Sequence, residues 1–160
     1  MRTLLITLAL SALLPLTAWA ARPSLNEAAE AAIHQQLRRY EQALNSSDVD
    51  RVMTLYADDA VFMPQHSLPA VGRDAVRAAY RHVFDTIKLD IRFAIDEVRL
   101  LSRDWAFART RSNGAVNALG SDQPAGSEAN QELFLLHREA DGQWRIARYI
   151  FSTSNPPKQP

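Results

Sequence analysis

The chain contains no cysteine. Disulfide staples, thiol nucleophiles and thiolate metal sites are therefore excluded. It has only five glycines in 160 residues, and none falls in a phosphate-cradling or dinucleotide-binding pattern. Charge of one sign is also lacking, since 18 Lys and Arg face 18 Asp and Glu. A nucleic-acid partner would want a basic stripe, so this balance argues against one. The histidines, His34, His66, His82 and His137, are scattered without the paired spacing of a zinc site. No Ser-His-Asp grouping, internal repeat, heptad series or low-complexity tract is present.

One long apolar run exists, at the N-terminus. Met1 to Ala20 carries a basic start at Arg2, the run LLITLALSALLPLTA and Ala18-Trp19-Ala20 before Ala21. This is the three-part form of a secretory signal, with cleavage expected between Ala20 and Ala21. A membrane anchor is the other reading, but the run is shorter than the roughly 20 residues a span needs and Pro15 interrupts it. The expected product is an exported, periplasmic or secreted protein with no stable membrane span. Residues 21–155 then form a single domain, and residues 156–160 a disordered Pro-rich tail.

Within that domain, Ser24 and Glu27 fit a capping box opening a helix over Leu25 to Asn45. Ile33, Leu37, Tyr40 and Leu44 give it one apolar side. Ser47, followed by Asp50, predicts the start of a short second helix carrying Val49, Val52, Met53 and Tyr56 and ending at Ala57-Asp58-Asp59. Ala60 to Met63 steps into a strand that stops at Pro64. Gly72-Arg73-Asp74 opens a third helix, with Val76, Ala79, Tyr80, Val83 and Phe84 as its buried stripe. Leu89, Ile91, Phe93 and Ile95 then alternate with polar residues, and Asp96-Glu97 shifts the parity, which predicts a bulge. Strands follow over Trp105 to about Asn117, Glu128 to Arg138 and Gln143 to Thr153. A polar tip from Gly120 to Ser127 and Asp141-Gly142 make the turns. Helices followed by a meander imply an α+β domain with helices on one face of the sheet.

The stretch RYEQALNSSDVDRVMTLYADDAVFMP, the helix GRDAVRAAY and the late strand DGQWRIARYIF together resemble the nuclear transport factor 2-like superfamily, and within it the SnoaL-like and SgcJ/EcaC-type groups. The likeness covers about residues 30 to 155. It implies a cone-shaped, curved antiparallel sheet on three N-terminal helices (a cystatin-like roll), a functional cavity in the cone and frequent homodimers. The ketosteroid isomerases of the superfamily resemble residues 38 to 84. Three positions of their buried tyrosine network fall on Tyr40, Tyr56 and Tyr80, and a protonated aspartate that donates to the oxyanion falls on Glu132. Their general base falls on Met63, which has no proton chemistry. Steroid isomerisation is therefore not expected.

Parity selects the residues that reach the cavity. Trp105, Phe107, Arg109 and Arg111 share one face of their strand, and the other face carries only Ala and Thr. If the large face is concave, it offers two aromatics and a guanidinium to a flat or acidic ligand. If not, the aromatics are core and the arginines pair with sheet carboxylates at the rim. Glu132 beside Phe134 invites either acid/base chemistry or a structural pair with Arg109 or Arg148. The three tyrosines make either an oxyanion donor or a hydrogen-bonded core trio. His66, in the Pro64 to Pro69 loop, is the one histidine placed to act as acid or base.

Two functions follow. The first is an exported module that binds a partly apolar, perhaps anionic small molecule. The second is a cofactor-free isomerase, lyase or hydrolase with Tyr40, Glu132 and His66 as its catalytic groups. In both, Tyr56, Phe62, Met63, Tyr80, Phe84, Trp105, Phe107, Arg109, Phe134 and Tyr149 are the expected ligand-binding residues, and no metal or cofactor is expected. A homodimer is expected to bury the Ala106, Ala108 and Thr110 face, or that of Ile146 and Ile150.

Overall fold

The computed structural model describes residues 24–156. The expected signal segment and the last four residues of the tail lie outside that range. Helix α1 runs Leu25–Asn45, opened by the predicted capping box: Ser24 accepts from the Glu27 backbone N–H and the Glu27 carboxylate accepts from that of Ser24. Helix α2 spans only Val49–Thr54 and is capped by Asp48, whose side chain accepts from the Arg51 N–H. Ser47 is not the cap. It sits at φ 54 in the left-handed region, making the corner between the two helices.

Strand β1 begins at Tyr56 and ends at Met63, so Tyr56 and Asp58-Asp59 are strand and not the end of a helix. The helical spacing continued by Tyr56 is coincidental, because β1 pairs with a later strand from that residue on. Strand β2 is the two-residue Ala70–Val71, which the sequence pattern does not reveal. Helix α3 is Arg73–Thr86, burying Val76, Tyr80 and Phe84. The meander follows as β3 (Ile87–Leu100), β4 (Trp105–Ala118), β5 (Gly126–Arg138) and β6 (Trp144–Thr153).

The six strands form one curved, unclosed sheet in the order β2-β1-β6-β5-β4-β3. The meander is antiparallel throughout, while β1 joins β6 in parallel. The predicted bulge is present, with the β3–β4 register shifting between Ile95 and Glu97. A second shift, between Leu135 and Leu136, leaves Ala147 of β6 without a partner. Each extra residue bends its strand and exchanges the faces of the residues beyond it.

Helix α1 lies along the inner side of β3. Asn45 exchanges side-chain hydrogen bonds with the backbone of Ile91 and Glu41 accepts from the Phe93 N–H. Tyr40, Tyr80 and the rings of β1, β5 and β6 fill the space between this helix layer and the sheet. A bulky inner row on β4 would collide with them. The inner face of β4 is accordingly small: Ala106, Ala108, Thr110 and Ser112, all buried.

Candidate functional site

All four tyrosines of the chain and five of its six phenylalanines meet in this interior. The rings of Phe134 and Tyr149 stack at 4.2 Å, those of Phe62 and Tyr80 at 4.9 Å, and Tyr40 lies parallel to Phe93 at 5.9 Å. Tyr40 hydrogen-bonds Tyr80, and Tyr56 and Tyr80 hydroxyls are 2.8 Å apart. Two bonds among three hydroxyls use two protons, so one of the three tyrosines keeps one to donate. Burial holds all four phenols well above their ordinary pKa, so they are neutral donors at physiological pH.

Beyond the rings, toward the hairpin joining β4 and β5, the interior turns polar. Thr110 sits opposite Glu132 and Ser112 opposite Asn130. Glu132 is 5% exposed. It accepts hydrogen bonds from Thr110 Oγ1, from Ser112 Oγ at 2.7 Å and, weakly, from the Tyr149 hydroxyl at 3.4 Å. Burial pushes its carboxyl pKa up, the nearby Glu128 adds to that, and the three hydroxyls pull the other way. Among the described residues no guanidinium reaches it: Arg148 donates to the Asp59 and Ala147 carbonyls, and Arg109 is on the far side of the sheet. The alternative of a structural Glu–Arg pair is thereby removed.

The large face of β4 is the outer one, and the expectation that Trp105, Phe107 and Arg109 could line the concave side is corrected. Trp105 packs against His137, the rings tilted by 34° with centroids 4.5 Å apart. Arg109 and Arg111 clamp Asp96 at 3.0 and 2.9 Å, the rim pairing that the sequence left open. Met63 is opposite Ile150, an exposed residue, and so belongs to the outer row and not with Phe62. Exposed His66, at φ 59, makes no hydrogen bond to the interior cluster among the described residues. The interior thus brings together Tyr40, Tyr56, Phe62, Tyr80, Phe84, Glu132, Phe134 and Tyr149. It leaves out His66, Met63, Trp105, Phe107 and Arg109.

Sequence reasoning missed Thr110, Ser112 and Asn130. The signal available was that the small face of β4 carries its hydroxyls where β5 carries an acid. A separate cleft of about 790 Å³ opens beneath Trp105 and His137, between Met53, Asp58, Arg73 and Asp141. Four acids line it, Asp58 paired with Arg73, Asp141 with Arg145, Asp59 with Arg148 at 3.6 Å and Glu139 with His137, so its charges are taken up largely by one another.

This architecture agrees with a family match: residues 37–149 fit the model of the SnoaL-like domain. The chain belongs to the SnoaL-like domain family. Its fold is that of the nuclear transport factor 2-like superfamily. The SnoaL-like chain is similar to a ketosteroid isomerase-like protein from Erwinia carotovora atroseptica SCRI1043, at 36% identity over 79% of this chain and 96% of that one, TM-score 0.75. It also shares its fold with an NTF-2 like protein of unknown function from Shewanella oneidensis MR-1, at 22% identity over 78% and 98%, TM-score 0.61. A third structure of this fold is the hexachlorocyclohexane dehydrochlorinase LinA-type3 from Novosphingobium barchaimii LL02, at 14% identity over 82% and 90%, TM-score 0.71.

Proposed function

We propose that this SnoaL-like protein is an exported module that binds a small, largely apolar molecule against the polar strip beside the hairpin of β4 and β5. The observation that carries the reading is the inward polar strip Thr110, Ser112, Asn130 and Glu132, set beside aromatic rings rather than beside a cation. Rings give contact area at low entropy cost and the strip orients one polar group, the usual division of labour in a ligand pocket. An anionic ligand is no part of the proposal, because the guanidinium meant to hold it, Arg109, faces the other way. Benzyl alcohol titrated into the protein should shift the amide NMR signals of Ser112, Asn130 and Phe151. No shift there with any aromatic probe of this size, neutral or charged, would end the module reading.

The second reading is a cofactor-free isomerase, lyase or hydrolase. One observation favours it: a buried carboxyl group with a raised pKa within reach of several hydroxyls is suited to proton transfer. The relative named ketosteroid isomerase-like and the dehydrochlorinase of the same fold give it chemical precedent. Turnover that collapses in Glu132→Gln or Tyr40→Phe would establish it. Isomerisation of a 3-oxo-Δ5 steroid is not expected, because Met63 supplies no base.

Export and dimerisation complete the proposal. Mass spectrometry of protein recovered from the periplasm should find a chain starting at Ala21. The face that meets the second copy is the outer one, since the Ala106, Ala108 and Thr110 row is core and the bulge at Ala147 puts Ile146 inside and Ile150 outside.

A further inference from the structure

The hydrogen-bond inventory of the polar strip is asymmetric. Thr110, Ser112 and Tyr149 each donate to Glu132. Both amide hydrogens of Asn130 are also engaged, one by Glu128 Oε1 at 2.6 Å and one, at 3.4 Å, by Ser112 Oγ. Every side-chain donor of the strip is therefore committed to a protein acceptor. The acceptors are not all satisfied. Asn130 is 6% exposed, yet its Oδ1 has no hydrogen-bond partner. The orientation of that amide is fixed, because exchanging O and N would set its oxygen against the Glu128 carboxylate. No Lys, Arg or His side chain donates to Glu128, Asn130 or Glu132 among the described residues.

A ligand head entering here meets one orphan carbonyl oxygen, two carboxyl groups and no free donor. A carboxylate or phosphate would be repelled and left unbonded; a group rich in N–H would complete the strip. Half-buried Phe93 and Phe151, paired in the sheet with Ser112 and Glu132, set an aromatic margin beside the strip for an apolar body to lie against. We infer that the ligand carries a primary amine on an aromatic or alicyclic body, with the amine donating to Asn130 Oδ1 and to the carboxyl groups of Glu128 and Glu132. This inference rests on the binding reading above and deepens it.

Three probes of one size test it: benzylamine, benzyl alcohol and benzoate, each titrated into the protein and followed by the amide signals of Glu128, Asn130 and Glu132. Benzylamine should bind roughly tenfold or more tightly than benzoate, the ratio that one charge-assisted hydrogen bond supplies. Asn130→Leu should erase that preference, bringing benzylamine to within about twofold of benzoate. Should the Leu variant fail to fold, Glu128→Gln, at a half-exposed site, should still reduce it severalfold. Benzoate binding as well as benzylamine would overturn the inference and leave the module standing. A preference for benzylamine that survives both substitutions would overturn it as well. Failure of all three probes would remove the module itself.

Discussion

A carboxyl group at 5% exposure, with three hydroxyls around it and no cation, eases its desolvation by holding its proton to higher pH. Below the ordinary carboxyl pKa, Glu132 is protonated in both folded and unfolded chains and has no effect on the slope of stability with pH. As pH rises from there through the raised folded value, the unfolded chain releases the proton first, so stability declines. Glu132→Gln should remove that decline. At pH 7.5 the variant should be more stable than the parent, and at pH 4 the two should melt together. Thermal melts across pH 4 to 8 check this, and a parent with the same slope as its Gln variant would contradict it. The tyrosines make a second residue-scale case. Tyr80 is bonded to both Tyr40 and Tyr56, so Tyr80→Phe orphans two buried hydroxyls and should cost about 2–4 kcal/mol in urea unfolding. Tyr56→Phe leaves the Tyr40–Tyr80 bond intact and should cost only about 1 kcal/mol. Equal losses would mean that Tyr80 is not the hub.

At the scale of the element, the corner between α1 and α2 separates two neighbouring residues by role. Asp48 caps α2, while Ser47 holds a positive φ. Asp48→Ala should therefore cost about 1 kcal/mol, and Ser47→Gly should be neutral or stabilising by a few tenths. The reverse order would restore Ser47 as the cap. In the sheet, a Cβ at Gly114 would lie 2.1 Å from the Asp90 carbonyl oxygen of β3. The close approach lies beside Ile91, where Asn45 of α1 docks. Gly114→Val should force the strands apart and lower the urea midpoint by more than any surface substitution on β4, with loss of the Asn45 and Ile91 amide protection in hydrogen exchange.

At the scale of the whole molecule, the outer face of the sheet is the surface left for a partner. Met63, Ile150 and Leu133 stand side by side on three strands, with Ile150 46% and Leu133 45% exposed, and half-buried Phe107 and Leu135 continue the patch. An apolar row of this kind in the middle of a sheet suits a two-fold contact with a second copy. Sedimentation should show a dimer at micromolar concentration. Ile150→Glu should convert it to a monomer while the ligand-induced shifts inside the cone persist. A monomeric parent would withdraw the dimer without touching the interior site, since that site is built entirely within one chain.

The order of elements, the capping box at Ser24, the bulge at Asp96-Glu97 and the Asp141-Gly142 turn were legible in the sequence because each depends on residues close along the chain. Tyr40, Tyr56, Tyr80 and Glu132 were also legible as a group, through the family resemblance. Which face of β4 looks inward was not. Alternation fixes that Trp105, Phe107 and Arg109 share a side, but the choice of side belongs to α1 and the tyrosines, whose bulk leaves room for Ala106, Ala108, Thr110 and Ser112 alone. The same holds for Ile146 and Ile150, which parity puts together and the unpaired Ala147 puts apart. Local pattern determined the strands. Volume shared between distant elements decided what the cone contains, and with it the acceptor-rich strip on which the proposed function turns.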